Sequence, residues 1–147
     1  MTNDVLSIGE ATDADTEALV ALWTRCGLVR PWNDARADIA RAKASGCAVV
    51  LVGREAGALV AAVMAGDDGH RGWFYYLGVD PQRRGKGYGR AMTQAGEAWL
   101  KARGCEKVML MVRAENTAVH DFYKGAGYFE QPRVVFAKWL DRREPTP

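Results

Sequence analysis

The sequence predicts a mixed α/β fold in which a mostly antiparallel sheet is flanked by about four helices. In the first half of the chain, apolar runs typical of strands are joined by short turns, as in hairpins. In the second half, strand-like and helical segments alternate, which brings in parallel pairing. The length of 147 residues fits one compact domain. We therefore expect 1–147 to form a single domain, with 142–147 as a flexible tail.

The first strand and helix are predicted from a short apolar segment and a capping pattern. A strand is expected near residues 5–8, and Thr12 with Asp15 has the spacing of a capping pair at a helix start. An apolar stripe with helical spacing follows and ends before Gly27. Its members are Leu19, Leu22, Trp23 and Cys26.

A second helix is predicted from Ala35 to Ala44. Pro31 disfavours helical backbone at the preceding Arg30, so a turn is expected there. Asn33 or Asp34 can then cap the second helix.

Three antiparallel strands should follow, at Cys47–Gly53, Ala58–Ala65 and Trp73–Val79. Each run is rich in β-branched, aromatic or other apolar residues. The intervening segments Glu55–Gly57 and Asp67–Gly72 have the glycine and acidic residues typical of hairpin turns.

The remaining chain predicts a helix from Tyr88 to Arg103, a buried strand at Val108–Val112 and a short helix at Thr117–Lys124. One or two closing strands are expected from Tyr128 onward. The apolar residues that suggest them are Val134, Val135, Phe136 and Trp139.

Composition narrows the functional classes. Hydrophobic residues make up 48% and charged residues 26%, which are ordinary values for a globular protein. The formal net charge of +2 is too small to imply a nucleic-acid or membrane partner by itself. No apolar run approaches the roughly 20 residues that cross a bilayer, and the first ten residues lack the layout of a secretory signal. We expect a cytoplasmic protein that binds neither nucleic acid nor membrane.

Residue types that bind metals are sparse. The three cysteines, Cys26, Cys47 and Cys105, are far apart and form no Cys-x-x-Cys pair, and only two histidines are present. We therefore expect no disulfide framework and no metal site. The cysteines are predicted to be reduced and mostly buried.

A glycine-rich basic turn lies between the third strand of the hairpin series and the following helix. Gly85, Gly87 and Gly89 remove side chains from this turn, so that consecutive backbone N–H groups can approach an anion. The positive end of the following helix adds to the attraction. The segment therefore predicts a phosphate or pyrophosphate site, with a solvated basic face as the alternative. Its basic side chains are Arg83, Arg84, Lys86 and Arg90.

Spacing distinguishes three phosphate-binding motifs. In a P-loop, Ser or Thr follows the lysine, but here Gly87 follows Lys86. A dinucleotide fingerprint requires G-x-G-x-x-G, whereas residues 85–89 read G-x-G-x-G in a hairpin-rich context. The third pattern, Q/R-x-x-G-x-G/A directly after an apolar strand, is met by residues 82–87.

At these residues the chain resembles the GNAT N-acetyltransferase family, whose pyrophosphate loop for acetyl-coenzyme A (acetyl-CoA) has this form. The family's second motif is Asn, six residues, Tyr, three residues, Gly, and then Phe or Tyr. The likeness covers nearly the whole chain, and the stretches 30–34 and 68–72 resemble small bacterial YpeA-type members. The second motif is met by Asn116, Tyr123, Gly127 and Tyr128.

The resemblance implies a GNAT-like fold that transfers an acetyl group from acetyl-CoA directly to an amine. It implies that backbone amides of the turn hold the pyrophosphate and that main-chain groups of the preceding strand pair with the pantetheine arm. Asn116 is expected to bond to that arm, to cap its helix, or both. The residues assigned to the cofactor are Leu77, Gly78, Val79, Gln82, Arg83, Arg84, Gly85, Lys86, Gly87, Tyr88, Gly89, Arg90 and Asn116.

Tyr123 corresponds to the family's tyrosine that protonates the departing thiolate, a task suited to a phenol with an ordinary pKa of about 10. An ordinary core tyrosine is the alternative. The general base is not assigned, because Trp73 and Met111 stand where family members carry a glutamate. The other polar candidates are Asp67, Asp68, His70 and Glu115, for which a structural or surface role is the more common one.

The acceptor is expected to be an amine-bearing small molecule or protein whose identity the sequence does not reveal. The chain is expected to be a monomer or a homodimer. Two alternatives stay open: a non-catalytic acyl-CoA-binding module, and an anion- or nucleic-acid-binding domain that uses the basic turn. The residues predicted to bind the acceptor are Trp32, Asn33, Asp34, Asp67, Asp68 and His70.

Overall fold

The structure is a computed structural model that describes residues 5–141, 143 and 144. The chain divides into two structural units, Met1–Met111 and Val112–Pro147. The strands of the first unit are β1 (Ser7–Glu10), β2 (Ala48–Glu55), β3 (Ala58–Asp67), β4 (Gly72–Val79) and β5 (Val108–Met109). Its helices are α1 (Thr16–Arg25), α2 (Ala35–Ser45) and α3 (Tyr88–Ala102), and the second unit contains α4 (Thr117–Gly125).

The five strands form one sheet in the order β1-β2-β3-β4-β5. The first four strands pair antiparallel with their neighbours, and β5 pairs parallel to β4. The predicted mixed, mostly antiparallel sheet with four helices is therefore confirmed. None of the described helices is long and apolar enough to cross a membrane.

The predicted helix signals of the first unit are also confirmed. The backbone N–H of Thr12 donates to the carboxylate of Asp15 over 2.8 Å, and a single 3₁₀ turn leads into α1. The side chain of Asp34 accepts from the N–H of Ala37 over 3.1 Å at the start of α2. That helix ends at Gly46, whose φ of 73° is in the left-handed region.

The helices cover the two faces of the sheet. α1 and α2 pack Leu22, Trp23 and Ile39 against side chains of β2 and β3. α3 meets β4 at Gly96, where an added Cβ would lie 2.6 Å from the ring of Phe74. Gly96 therefore permits a close approach of α3 to β4 that any other residue would block.

A β-bulge in β4 changes which face its side chains point to. The pairing register with β3 shifts between Ala62 and Met64, and Tyr76 has a φ of 57°. Phe74 contacts α3, whereas Tyr76 stacks on Trp23 of α1 with ring centroids 4.2 Å apart. In a regular strand, residues two apart share a face. The bulge places these two rings on opposite faces.

Two predictions about the edge and the C-terminal segment are wrong. β5 ends at Met109 and not at Val112, because it pairs only with the first two residues of β4. Residues 128–141 contain no strand, and Phe136 is 93% exposed. A strand requires a partner for its backbone groups, and no described strand provides one there. The tail predicted at 142–147 lies largely outside the described residues.

The cysteines are free, as predicted, but they are less buried than expected. Cys47 is exposed because it directly follows the turn at Gly46. Cys26 and Cys105 are half-buried.

Candidate active site

The glycine-rich turn starts from a fixed point at the end of β4. Asp80 is only 7% exposed, and its N–H donates to the carbonyl of Val60 on β3 over 2.7 Å. Its carboxylate accepts from the N–H of Gln82 over 3.0 Å and caps a short 3₁₀ turn at Pro81–Arg83. It also forms an ion pair with Arg25 of α1 at 3.2 Å. The chain therefore enters the turn from a well-anchored position.

The turn itself has an open backbone. Gly85 and Gly87 have φ values of 82° and 81°, and an added Cβ at either would meet nothing within 4 Å. Glycine is therefore needed there for the backbone conformation and not for lack of space. In the described part of the chain, the N–H groups of Gly85, Gly87 and Gly89 have no protein acceptor. These donors lie at the positive end of α3, an arrangement that suits an anion.

Carboxylates engage Lys86 and Arg83, two of the basic side chains of the turn. The ammonium of Lys86 lies 3.1 Å from a carboxylate oxygen of Glu55, the last residue of β2. Arg83 lies 3.6 Å from Glu55 and 3.7 Å from Asp80. Arg84 is exposed and has no carboxylate partner among the described residues. These carboxylates therefore neutralise part of the positive charge that the sequence places in the turn.

The edge of β4 next to the turn is open. β5 pairs only with Gly72 and Trp73, so the described strands leave the later part of this edge without a partner. Because the N–H of Asp80 points to β3, alternation directs the main-chain groups of Val79 away from β3. The carbonyl of Val79 accepts a hydrogen bond from the thiol of Cys26 over 3.3 Å. Of the predicted cofactor residues, those of the first unit are thus brought together around one strand end.

Residues of the loop before β4, predicted to bind the acceptor, are used to stabilise their own turn. Asp67 accepts from the N–H of Gly69 over 2.9 Å. Asp68 accepts from the N–H of His70 over 2.8 Å, the N–H of Arg71 over 2.7 Å and the indole N–H of Trp73 over 3.0 Å. These hydrogen bonds lower the pKa of the Asp68 carboxyl, which makes it a poorer base. The loop also lies at the opposite end of β4 from Asp80.

The other predicted acceptor residues precede α2. Trp32 is half-buried, Asn33 is exposed, and Asp34 caps the helix. One turn further along α2, Asp38 accepts from the hydroxyl of Tyr76 over 2.7 Å. Burial, followed by the carboxylates of Asp38 and Asp34, raises the pKa of Tyr76. This loop is therefore placed beside the middle of β4, whereas Asp67, Asp68 and His70 are not.

In the second unit, Tyr123 on α4 packs edge-on against two aromatic rings. The ring centroids of Phe122 and Tyr128 lie 5.0 and 5.4 Å away. Burial raises the pKa of Tyr123 to about 12, so its hydroxyl keeps its proton at neutral pH. Asn116 stands at the N-cap position of α4, but its side chain makes no capping hydrogen bond. Its amide is therefore not used to start the helix.

Known proteins of similar sequence identify the family. Residues 10–128 match the model of the acetyltransferase (GNAT) family. The chain is 43% identical over 127 residues to an acetyltransferase of Yersinia enterocolitica, a match that covers 86% of this chain and 90% of that protein. It is 47% identical over 126 residues to an acetyltransferase of Pectobacterium atrosepticum, covering 86% and 89% of the two chains. The chain belongs to the GNAT acetyltransferase family. The predicted enzyme class, an acyltransferase, is thereby confirmed.

Solved structures of low sequence identity share the GNAT fold. The aminoglycoside N-acetyltransferase AAC(6')-Iy, solved in complex with CoA, superposes with a TM-score of 0.81 at 17% identity, covering 92% of this chain and 95% of that one. The aminoglycoside 6'-N-acetyltransferase AAC(6')-IG of Acinetobacter haemolyticus gives a TM-score of 0.75 at 21% identity, covering 92% and 99%.

Several residues of this candidate site carry no signal in the sequence. Glu55 lies in a hairpin more than 30 positions from Lys86, and its role depends on how the sheet brings the two together. Asp38 and Tyr76 are likewise distant in the chain, although Tyr76 belongs to an aromatic run at 73–76 that is visible in the sequence. Among the described residues, no cluster of three His, Cys, Asp or Glu side chains could hold a metal ion.

Proposed function

We propose that this GNAT protein transfers the acetyl group of acetyl-CoA directly to a primary amine of a small molecule or a protein. The observation that carries the proposal is the set of N–H donors at Gly85, Gly87 and Gly89, which have no acceptor within the described chain and lie at the positive end of α3. A diphosphate is the anion that such a row of donors suits. The open edge of β4 beside it offers backbone groups to the amides of a pantetheine arm.

The residues of this chain then have distinct roles in holding the cofactor. The turn at 82–90 would bind the pyrophosphate mainly through its backbone. Arg84, which has no carboxylate partner among the described residues, would add positive charge. Main-chain groups of Leu77 and Val79 would pair with the pantetheine arm along the edge of β4, with Gly78 between them. The side-chain amide of Asn116 would add a further hydrogen bond to that arm, in agreement with its absence from the helix cap.

Acetyl-CoA supplies an activated thioester when it is bound. As a bond forms between the amine nitrogen and the carbonyl carbon, the carbon–sulfur bond breaks and the sulfur requires a proton. Tyr123 would donate it, because its raised pKa of about 12 keeps the hydroxyl protonated at neutral pH. The amine must lose its own proton to a base or through water to solvent; neither Trp73 nor Met111 can accept it, and the carboxylate of Asp68 is engaged by its own turn.

The organisation of the chain completes the proposal. We propose that the two structural units work together as one catalytic domain comprising 1–147, because the family match at residues 10–128 includes parts of both. We propose that the protein acts in the cytoplasm, as a monomer or a homodimer.

The first experiment is isothermal titration of the purified protein with acetyl-CoA, followed by an assay of thiol release with a panel of amines. The panel contains a polyamine, free lysine, an aminoglycoside and a peptide with a free N-terminus. We expect micromolar binding and thiol release with at least one amine. Failure of acetyl-CoA to bind would overturn the proposal, and salt-dependent binding of an oligonucleotide would then favour the anion-binding alternative.

A second candidate is a non-catalytic acyl-CoA-binding module. It is favoured by one observation: the two positions at which family members carry a glutamate hold Trp73 and Met111. Tight binding of acetyl-CoA without thiol release, across the whole amine panel and between pH 6 and 10, would support it.

A further inference from the structure

One carboxylate outside the glycine-rich turn contacts three residues within it. Glu55 accepts a hydrogen bond from the hydroxyl of Tyr88 and pairs with Lys86 at 3.1 Å through the same oxygen. Its other oxygen lies 3.6 Å from Arg83. The Glu55 side chain is 16% exposed, whereas those of Arg83 and Lys86 are 31% and 38% exposed, so water partly screens these contacts.

A negative charge beside an anion site requires an explanation, because like charges weaken binding. Here the charge is balanced by Lys86 and Arg83, whose side chains are held at Glu55. The hydrogen bonds from Tyr88 and Lys86 also lower the pKa of the Glu55 carboxyl, so it stays ionised at neutral pH. The cost of its charge to an incoming phosphate is therefore small.

The contacts of Glu55 restrain the part of the chain that most needs restraint. Gly85 and Gly87 give the turn great conformational freedom, and ordering such residues is costly in entropy. Tyr88 is the first residue of α3 and is 5% exposed, so anchoring its hydroxyl holds the start of the helix. Lys86 lies between the two glycines. Glu55 thus ties the middle and the end of the turn to the sheet.

We propose that Glu55 is a positioning residue that holds the glycine-rich turn in the shape that binds the pyrophosphate of the cofactor. This inference rests on the proposed function, because it requires the turn to be the pyrophosphate site. Glu55 acts through Lys86 and Tyr88 and does not touch the ligand. It matters therefore only for donors that have a pyrophosphate.

The test compares Glu55→Ala with the unchanged protein on two acetyl donors. One donor is acetyl-CoA, and the other is S-acetyl-pantetheine, which lacks the pyrophosphate. We expect Glu55→Ala to raise the Kd and KM for acetyl-CoA about tenfold, with kcat unchanged. The kcat/KM for S-acetyl-pantetheine should stay within about twofold. A residue that only stabilised the fold would affect both donors alike.

Two further variants refine the result. Glu55→Gln keeps an acceptor for the Tyr88 hydroxyl but loses the charge, so we expect a smaller rise in Kd of about threefold. Glu17→Ala is the matched control, because Glu17 also pairs with an arginine, Arg36 at 2.7 Å, but lies on α1 away from the turn. It should leave the Kd for acetyl-CoA unchanged.

The outcomes separate the two hypotheses. If the unchanged protein binds acetyl-CoA but Glu55→Ala binds it equally tightly, or loses activity equally with both donors, the positioning role is wrong and the proposed function stands. If the unchanged protein does not bind acetyl-CoA, the proposed function fails and the role of Glu55 fails with it.

Discussion

Two turns at the opposite ends of β4 use similar residues in opposite ways. The loop at 67–72 and the turn at 80–90 both combine acidic, basic and glycine residues. In the first, the carboxylates of Asp67 and Asp68 accept the turn's own N–H groups. In the second, Asp80 accepts one N–H of the turn, that of Gln82, and the N–H groups of three glycines have no acceptor within the described residues.

The difference favours the turn at 80–90 over the loop at 67–72 as the one that suits a ligand. Buried or half-buried N–H groups normally find partners within the protein, and a turn that satisfies its own donors offers nothing to a ligand. A turn whose donors point outward, at the positive end of a helix, can exchange water for an anion at little cost. Gly69 of the loop and Gly85 and Gly87 of the turn share a left-handed φ, so the placement of acceptors makes the difference.

The largest expected effect comes from placing a carboxylate in each turn in the same way. Gly87 and Gly69 have φ values of 81° and 88°, and an added Cβ would meet nothing within 4 Å at either. Gly87→Glu should weaken acetyl-CoA binding by about 100-fold or more, through like-charge repulsion. Gly69→Glu introduces the same backbone strain and should leave the Kd within about twofold, as measured by titration. Equal losses in the two variants would contradict the contrast between the turns.

Removing a catalytic side chain should lower kcat and leave the Kd for acetyl-CoA unchanged. Disturbing the backbone donors of the turn should instead raise the Kd. Tyr123→Phe should lower kcat by about 100-fold, because general acid catalysis contributes effects of this size, with the Kd for acetyl-CoA little changed. The control is Tyr128→Phe, which changes a ring neighbour of Tyr123 in the same way. An unchanged kcat in Tyr123→Phe would remove the acid role.

The basic side chains of the turn should differ in importance. Arg84 has no carboxylate partner in the described structure, whereas Lys86 is held by Glu55. Arg84→Met should therefore weaken acetyl-CoA binding by about fivefold, and Lys86→Met by about twofold or less. Titration at two salt concentrations measures both. A larger loss for Lys86→Met would mean that the ligand draws this ammonium away from Glu55.

The smallest effect on activity is expected in the loop at the other end of β4. Asp68→Ala removes the acceptor of three hydrogen bonds, so Tm should fall by about 3 °C while kcat/KM stays within about twofold. The pKa of Asp68 is lowered in the folded protein, so its stabilisation is present above its ordinary pKa near 4 and is lost as the pH falls below it. The Tm difference between the two proteins should therefore shrink in acid. A large fall in kcat at unchanged Tm would instead identify Asp68 as a catalytic base.

Local patterns predicted most of the fold of the first unit. The capping pair at Thr12 and Asp15, the cap at Asp34 and the hairpin series each depend on residues close in sequence, and the structure contains all of them. The closing strands after Tyr128 were predicted wrongly because an apolar run indicates a strand only where a partner strand is available. The predicted acceptor residues lie in two separate loops, one before α2 and one before β4. The sequence did not distinguish them, because no local pattern tells which end of β4 a loop will occupy.

The sequence by itself determined the family, the order of the elements and the glycine-rich turn, since a short motif shapes the backbone that forms it. Tertiary structure decided the rest of the site. The bulge at Tyr76 moved one ring to the face of α1, where it meets Asp38 and Trp23. The pairing of β3 with both β2 and β4 brought Glu55 beside Lys86. These contacts depend on strand register and sheet packing, which join residues far apart in the chain and so leave no signature in any short stretch of it.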